Sequence, residues 1–233
     1  MAPGLALASL QTLRWPDPTL WLAPGERQRL ATFTHPRRRE ISLASRWLAR
    51  TLLAGVMGGG PDEVSVDIDA AGRSFLPSHP DWHLSISHSG DWVACVVAPS
   101  AVGLDIEQLR PRAQLVDIAA TAFPPSVCEH LATLHGEART LRFYQEWTLR
   151  EAWLKRQGQG LDLARMRTLQ HEEADDDSAQ ALSLFDESNG LVIAVDGAAL
   201  RVSWPDPIKL VRRLRYLAAG AAGVAEGFEG GSG

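Results

Sequence analysis

The chain is organised around residues 146–155, EWTLREAWLK, which place a carboxylate and an ammonium four residues apart. At about 100° per residue the apolar positions follow a helical period, and Glu151 and Lys155 share one face with Tyr144 and Thr148. A solvated pair of this kind stabilises a helix by roughly a few tenths of a kcal/mol. Here the pair lies between apolar flanks, as acid–base or metal chemistry requires, so a surface ion pair and a functional pair both stay open.

The composition is that of a globular protein: 233 residues, 45% hydrophobic and 22% charged, enough for one large domain or two small ones. Cys95 and Cys128 are the only cysteines, so neither a disulfide framework nor a four-cysteine zinc site is indicated. The start lacks the basic region of a signal peptide, and no apolar run reaches the roughly 18 residues of a membrane span. We therefore expect a cytoplasmic protein.

The net charge of −5 conceals a basic N-terminal segment, because residues 1–50 contain eight arginines against three acidic residues. Three of them, Arg39, Arg46 and Arg50, share one face of a predicted helix at residues 38–57. Their aliphatic stems could simply cover an apolar stripe. Alternatively, their guanidinium groups could form a phosphate-binding cluster.

Periodicity and turn residues predict a chain of mixed helices and strands. Helices are predicted at residues 26–33, 38–57, 115–122, around 146–155, and in a basic piece at 209–217. Strands are predicted at residues 64–68, 83–87, 92–98, 101–107, 181–185, 191–195 and 200–204. We predict that strand 101–107 follows the hairpin of 83–87 and 92–98 as the third strand of one antiparallel meander. The acidic segment 171–180 is predicted to be a mobile loop.

Two carboxylates on the strand at 101–107 point to the same side, because side chains alternate along a strand. They are Asp105 and Glu107, and Gly103 on the same strand would allow close approach of another group. With Glu151 they make three carboxylates, a donor set that suits a hard cation such as Mg²⁺ better than zinc. Because protein-bound Mg²⁺ usually keeps water and substrate phosphates as ligands, a phosphorylated substrate is predicted.

Two motifs resemble a known family. Residues 102–107, VGLDIE, and residues 147–155, WTLREAWLK, are similar to the two signature motifs of the 4′-phosphopantetheinyl transferases, of the long single-chain type typified by the surfactin-synthetase activator. Residues 85–89, SISHS, resemble the family's strand and turn with a coenzyme-contacting histidine. Gly72-Arg73 resembles the family's Gly-Lys. Arg150 and Arg73 depart from the pattern, since each stands where the family has lysine, which keeps the charge but not the shape.

The resemblance implies an α+β fold of two similar halves about a pseudo-twofold axis, each an antiparallel sheet packed with a long helix. Residues 1–103 would form the half that grips the nucleotide phosphates. Residues 104–226 would form the half with the metal site and the carrier-protein side, and residues 227–233 a flexible tail. A monomer with an internal pseudo-dimer is expected.

The implied activity is transfer of the 4′-phosphopantetheine arm of coenzyme A to a serine of an apo acyl or peptidyl carrier protein, releasing adenosine 3′,5′-bisphosphate. By position in the motifs, Asp105, Glu107 and Glu151 would hold Mg²⁺, while Glu151 and Lys155 would be catalytic. The residues implied to bind coenzyme A are Arg39, Arg46, Arg73, Ser87 and His88. Neither nucleic acid nor a membrane is expected as a partner.

Two other functions fit the same residues. A magnesium-dependent phosphohydrolase acting on a nucleotide pyrophosphate could use the three carboxylates, the lysine and the arginines equally well. A carrier-protein-binding module that has lost activity is the other alternative, although every expected metal ligand is present.

Overall fold

The computed structural model describes residues 3–197 and 205–217. This part of the chain is a mixture of helices and antiparallel sheets, which confirms the predicted α+β class. The elements, in chain order, are β1 (Gly4–Ser9), α1 (Pro24–Ala31), α2 (Pro36–Met57), β2 (Asp67–Ile68), β3 (Ser74–Phe75), β4 (His83–Ser89), β5 (Trp92–Ala98), β6 (Gly103–Gln108), α3 (Leu115–Ala122), α4 (Pro125–Thr133), α5 (Gly136–Arg156), α6 (Leu163–Thr168), β7 (His171–Glu173), β8 (Ala181–Asp186), β9 (Leu191–Asp196) and β10 (Lys209–Tyr216).

The first sheet has the strand order β1-β5-β4 and packs one face against α2. Its central strand is buried on both faces because alternate residues enter two different cores. Val93 and Cys95 join Leu53 of α2 in one core, whereas Ala94 and Val96 join a second core shared with the other sheet. The run of apolar residues in β5 is thus the signature of a strand covered on both sides.

The second sheet has the order β6-β9-β8-β10-β7 and carries α5 on its outer face. Leu104 and Ile193 face the first sheet, and Ala194 faces Leu149 and Ala152 of α5. The layers are therefore α2, first sheet, second sheet and α5. Each sheet has its own long helix, as predicted. The pseudo-twofold relation and the boundary between residues 103 and 104 stay predictions.

The predicted meander is wrong, because β6 does not pair with β5. Its backbone ladder runs to β9, from Gly103 opposite Asp196 to Gln108 opposite Leu191, and β1 completes the first sheet instead. The other edge of β6 faces β4, where serine hydroxyls rather than backbone carbonyls accept its N–H groups. Sequence proximity favoured a meander, but the partner strand lies about ninety residues later in the chain.

Two predictions in the C-terminal part also fail. Residues 209–216 form strand β10 rather than a helix, and the acidic segment contains the short strand β7 rather than being loop throughout. The two strands pair antiparallel, and Arg215 of β10 contacts Glu172 of β7 at 2.6 Å. Opposite charges on neighbouring strands stabilise this pairing, which the charge pattern of either segment alone does not reveal. The predicted strand at 200–204 and the tail at 227–233 lie outside the described residues.

Within residues 3–197 and 205–217, no helix has both the length and the apolar character needed to span a bilayer.

Candidate active site

The candidate site forms where α5 crosses β6, and Gly103 makes this contact possible. A Cβ atom at Gly103 would lie 1.9 Å from the carbonyl oxygen of Ala152 and 2.7 Å from the backbone nitrogen of Arg156, so no larger residue fits. The predicted close approach at this glycine is confirmed. It brings the C-terminal half of α5, with Glu151 and Lys155, over the strand that carries Asp105 and Glu107.

Lys155 makes direct contact with the strand. Its ammonium donates to Asp105 Oδ1 at 2.6 Å and to Ser87 Oγ at 3.0 Å, and Ser87 in turn donates to the same carboxylate oxygen at 2.8 Å. Asp105 is buried, whereas a little over a quarter of the Lys155 side chain is exposed. Residues from β4, β6 and α5 thus meet at one carboxylate, and three residues that the sequence named separately are brought together.

Glu151 and Glu107 lie close enough to Asp105 for their charges to interact. Burial, followed by repulsion from Asp105, raises the pKa of Glu151 to about 7, against the opposing charge of Lys155. Burial also raises the pKa of Glu107, although its hydrogen bond from Ser89 acts in the other direction. Lys155 and, at Glu107, the charge of Arg112 oppose the three carboxylates, which still outnumber these cations.

This donor set fits a hard divalent cation in its chemistry. Carboxylate oxygens are the ligands that Mg²⁺ prefers, and such an ion would offset the mutual repulsion of Asp105, Glu107 and Glu151. As the side chains are arranged, however, no three His, Cys, Asp or Glu side chains among residues 3–197 and 205–217 converge as metal ligands. Asp105 is engaged by Lys155 instead. Binding of Mg²⁺ by Asp105, Glu107 and Glu151 therefore stays a prediction.

His88 lies beside this cluster but on the opposite face of β4 from Ser87, because β4 continues through Ser89 instead of turning at His88. Partial burial and the charge of Lys155 lower the pKa of His88, and Arg37 contributes in the same direction. Arg37 lies in the first turn of α2 and reaches the β4–β5 turn, where it donates to the Gly90 carbonyl at 3.1 Å and pairs with Asp91. The sequence did not indicate Arg37, and its only signal was the basic run at residues 37–39.

The predicted arginine face of α2 is divided between two environments. Arg39 is exposed. Arg46 is buried with its Nε 3.4 Å from Glu26, and Arg50 is fully buried, paired with Glu26 and bonded to the Val64 carbonyl. The two buried arginines thus share one carboxylate, from α1, a partner that helical spacing did not predict. Coenzyme binding by Arg39 and Arg46 stays a prediction.

Arg73 lies at a cavity next to Lys155. Its side chain is more than half exposed and pairs with Asp69 at 2.6 Å, and it packs against Gly158, just after the end of α5. A cavity of about 220 Å³ opens here, lined by Arg73, Ser85, Lys155 and Gly158 among others. Gly158 has a φ of +69°, a left-handed conformation in which glycine is favoured.

Arg150, which replaces the family's lysine, points away from the site. It is fully buried and donates to Glu146 and to the carbonyl oxygens of Met166 (3.1 Å) and Leu169 (3.2 Å). Its guanidinium fork therefore ties α5 to α6 and the segment that follows, geometry that a lysine could not reproduce. The departure concerns the structural side of the helix, not the carboxylate cluster.

Comparison with known proteins agrees with the motifs. A family model described as "4'-phosphopantetheinyl transferase superfamily" matches residues 101–200, and one described as "4'-phosphopantetheinyl transferase, N-terminal" matches residues 12–100. A phosphopantetheinyl transferase of Thraustochytrium sp. is 31% identical over 216 residues, which cover 78% of this chain and 75% of that protein.

A 4′-phosphopantetheinyl transferase of Bacillus subtilis is 33% identical over 138 residues, 59% of this chain and 61% of its own length. The match thus spans about three fifths of the length of that relative. Among solved structures, holo-[acyl-carrier-protein] synthase of Thermotoga maritima aligns with a TM-score of 0.34 and 17% identity over 44% of this chain and 67% of that one. The chain belongs to the 4′-phosphopantetheinyl transferase superfamily, as its two motifs predicted.

Proposed function

We propose that this protein transfers the 4′-phosphopantetheine arm of coenzyme A to a serine of an apo acyl or peptidyl carrier protein. The observation that carries the proposal is the convergence of Lys155, Asp105 and Ser87, with Glu107 and Glu151 beside them, at the two motifs of this superfamily. Cleavage of an anionic pyrophosphate is assisted by cationic side chains and by a hard metal ion; Lys155 supplies one such cation, and the carboxylates would hold the metal ion.

The reaction forms one bond and breaks one. The serine oxygen of the carrier protein attacks the phosphorus that bears the pantetheine arm, and the bond from this phosphorus to the bridging pyrophosphate oxygen breaks. Adenosine 3′,5′-bisphosphate leaves with the electron pair, and the serine proton goes to a base on the enzyme. Such a transfer depends mainly on positioning and on neutralising charge, which is what the side chains of the site provide.

Glu151 is the proposed base. Without a bound cation, burial and the charge of Asp105 raise the pKa of Glu151 to about 7, so this carboxylate is more basic than an ordinary glutamate, and it lies on the face of α5 that meets β6. Lys155 is proposed to move its ammonium from Asp105 to the departing phosphate, since it is partly exposed and its stem is flexible. Mg²⁺, when held by Asp105, Glu107 and Glu151, would polarise the pyrophosphate and neutralise its developing charge.

Coenzyme A would be gripped from the side of β4. His88 and Arg73 flank Lys155, one on β4 and one at the adjoining cavity, so both can reach phosphates that Lys155 also contacts. Arg37 joins them as a further candidate, because its guanidinium lies near His88 at the β4–β5 turn. The assignments of Arg39 and Arg46, as well as action as a cytoplasmic monomer, rest on the sequence alone.

The proposal is tested by incubating apo carrier proteins of the fatty-acid, polyketide and peptide type with enzyme, coenzyme A and Mg²⁺. Mass spectrometry should show the gain of one phosphopantetheine arm on the carrier protein. The control omits the carrier protein: release of adenosine bisphosphate from coenzyme A alone would indicate a phosphohydrolase. Absence of both a mass gain and nucleotide release across the panel would refute enzymatic transfer.

A further inference from the structure

Three serines at alternate positions of β4 join the two sheets. Each hydroxyl accepts a hydrogen bond from the backbone N–H of the residue nineteen positions later on β6: Ser85 from Leu104 at 2.9 Å, Ser87 from Ile106 at 3.3 Å and Ser89 from Gln108 at 3.1 Å. We call this set the serine ladder. Because a buried N–H without an acceptor is costly, these hydroxyls stand in for the carbonyls of a missing neighbour strand.

Two rungs of the serine ladder continue to the carboxylates. The Ser87 hydroxyl donates a hydrogen bond to Asp105 Oδ1 at 2.8 Å, and the Ser89 hydroxyl donates one to Glu107 Oε2 at 2.6 Å. A hydroxyl has one hydrogen and two lone pairs, so a single atom can hold the backbone of β6 and a side chain of the same strand together. The Ser85 hydroxyl meets no carboxylate in the described part of the chain, although it makes the same backbone contact.

We propose that the serine ladder also positions the active site, because Ser89 orients Glu107 as Ser87 orients Asp105. The inference rests on the proposed function, since the carboxylates matter for transfer only if they serve the pyrophosphate and its cation. Ser89 is the new assignment, because the family resemblance assigns a role only to Ser87 and His88 in this stretch.

The geometry requires a short side chain with a hydroxyl group at these positions, for two reasons. The rungs must alternate, since only every second side chain of β4 faces β6, and each side chain must be short enough to reach the strand edge. A carboxylate on a flexible glutamate also loses rotamer freedom when a fixed hydroxyl donates to it, so Ser89 supplies part of that ordering before any ligand arrives.

Binding of Mn²⁺, a paramagnetic substitute for Mg²⁺, gives a readout that does not depend on turnover. Electron paramagnetic resonance titration of the full chain should show Ser89→Ala binding Mn²⁺ on the order of tenfold more weakly than wild type, as is usual when a partner of a metal ligand is lost. Ser85→Ala is the matched control, because it loses the same backbone rung but no carboxylate contact. Its Mn²⁺ affinity should stay within about twofold of wild type, and Ser89→Thr, which keeps the hydroxyl, should restore most of the loss.

A double-mutant cycle with Glu107→Ala tests whether Ser89 acts through that carboxylate. Once Glu107 is absent, Ser89→Ala should weaken Mn²⁺ binding no further. Three outcomes would each overturn the inference. Ser89→Ala and Ser85→Ala could bind Mn²⁺ with equal affinity, or Ser89→Ala could weaken Mn²⁺ binding equally in the presence and absence of the Glu107 carboxylate. The third is a wild-type protein that binds no Mn²⁺. Failure of the proposed function would appear elsewhere, as a lack of mass gain on carrier proteins with the wild-type enzyme.

Discussion

One helix, α5, carries two carboxylates five residues apart in opposite electrostatic environments. Glu146 has no exposed surface, and it contacts Arg142 at 2.8 Å, His171 at 2.8 Å, Arg212 at 3.4 Å and also Arg150. Glu151 is half-buried beside Asp105 and Glu107, with Lys155 as the cation that opposes them. One region has more positive than negative charge, and the other has the reverse.

The pKa values record the difference. Burial alone would raise the pKa of Glu146, but the hydrogen bond from His171 and the charges of Arg150, His171 and Arg142 outweigh it and hold this pKa well below the usual range. Burial and like charges instead raise the pKa of Glu151 to about 7. Glu146, whose charge is outnumbered by neighbouring cations, holds α5 in place through its ion pairs. Glu151, whose neighbours are mostly carboxylates, remains available to bind a proton or a cation.

The largest expected effect is on stability, from Glu146→Gln. The substitution keeps the shape but leaves three arginines around a neutral group, and removing one partner of a buried pair typically costs about 3–5 kcal/mol of unfolding free energy. Urea unfolding followed by circular dichroism measures the loss. In the fraction that remains folded, kcat should stay near wild type, and a large drop in kcat at full foldedness would contradict the division between the two regions.

Acid unfolding sharpens the same comparison. Because the pKa of Glu146 is lower in the folded than in the unfolded chain, its contribution is fully present above the unfolded value of about 4.3 and is lost as pH falls below it. The wild-type urea midpoint should therefore begin to fall near pH 5 and continue to fall below pH 3, because the folded-state pKa lies well below the usual range. Glu146→Gln should show a shallower fall over this window. Parallel curves for the two proteins would mean that other carboxylates dominate acid unfolding.

The next effect is on catalysis, from Glu151→Gln. Loss of the proposed base should lower kcat by a factor on the order of 10² or more, whereas coenzyme A should still bind, because the amide keeps one oxygen in place. Stability should be unchanged or slightly higher, since one of three repelling charges is removed. Glu146→Gln is the matched control on the same helix. A Glu151→Gln enzyme with nearly normal kcat would move the base role to another group.

The two regions also differ in how well the sequence revealed them. Asp105, Glu107, Glu151 and Lys155 were named because they occupy motifs, and alternation along β6 and the period of α5 indicated which side chains share a face. The hydrogen bonds made by Lys155 confirm that α5 faces β6. Local periodicity succeeds here because each motif is a continuous piece of one element.

The cluster around Glu146 was not predicted, because its cations come from α5, β7 and β10. On a helical wheel Glu146 falls with charged residues and looks solvent-facing, and β10 was misassigned as a helix. The burial of Glu146 and the strand conformation of β10 both depend on pairing between strands that are distant in sequence, as the pairing of β6 with β9 does. A local sequence pattern does not show which strands will pair. The serine ladder was equally invisible, since Ser-x-Ser-x-Ser indicates a strand but not its partner.

Gly103→Ala tests the close contact between β6 and α5 that brings Glu151 and Lys155 to Asp105 and Glu107. The added methyl would collide with the Ala152 carbonyl, so α5 must shift away from β6, at a cost of about 1–3 kcal/mol. The displacement affects Glu151 and Lys155 directly, so kcat should fall by roughly tenfold in folded protein. Gly55→Ala on α2 is the control, because a Cβ there meets no neighbour and should be neutral or stabilising. Equal activities of the two variants would show that the close approach is not required.

The smallest expected effect is that of removing Arg37, a cation outside α5 that lies near the carboxylate cluster of Asp105, Glu107 and Glu151. Arg37 has about a third of its side chain exposed and lies near His88, so it can contact a nucleotide phosphate without any change in the core. Arg37→Ala should raise the KM for coenzyme A several-fold while kcat stays nearly constant, because contacts remote from the reacting phosphorus contribute uniform binding. The increase should shrink at high salt, which screens an exposed charge.

Arg39→Ala is the informative partner of this variant, because the sequence favoured Arg39 and the structure places Arg37 at the β4–β5 turn. Both substitutions remove one charge from the first turn of α2, so a general loss of positive potential would raise the two KM values equally. A specific contact made by Arg37 predicts a larger increase for Arg37→Ala, with an unchanged urea midpoint in both variants. If Arg39→Ala gives the larger increase, helical spacing was the better guide to the phosphate contact, and Arg37 serves only to hold Asp91 and the turn.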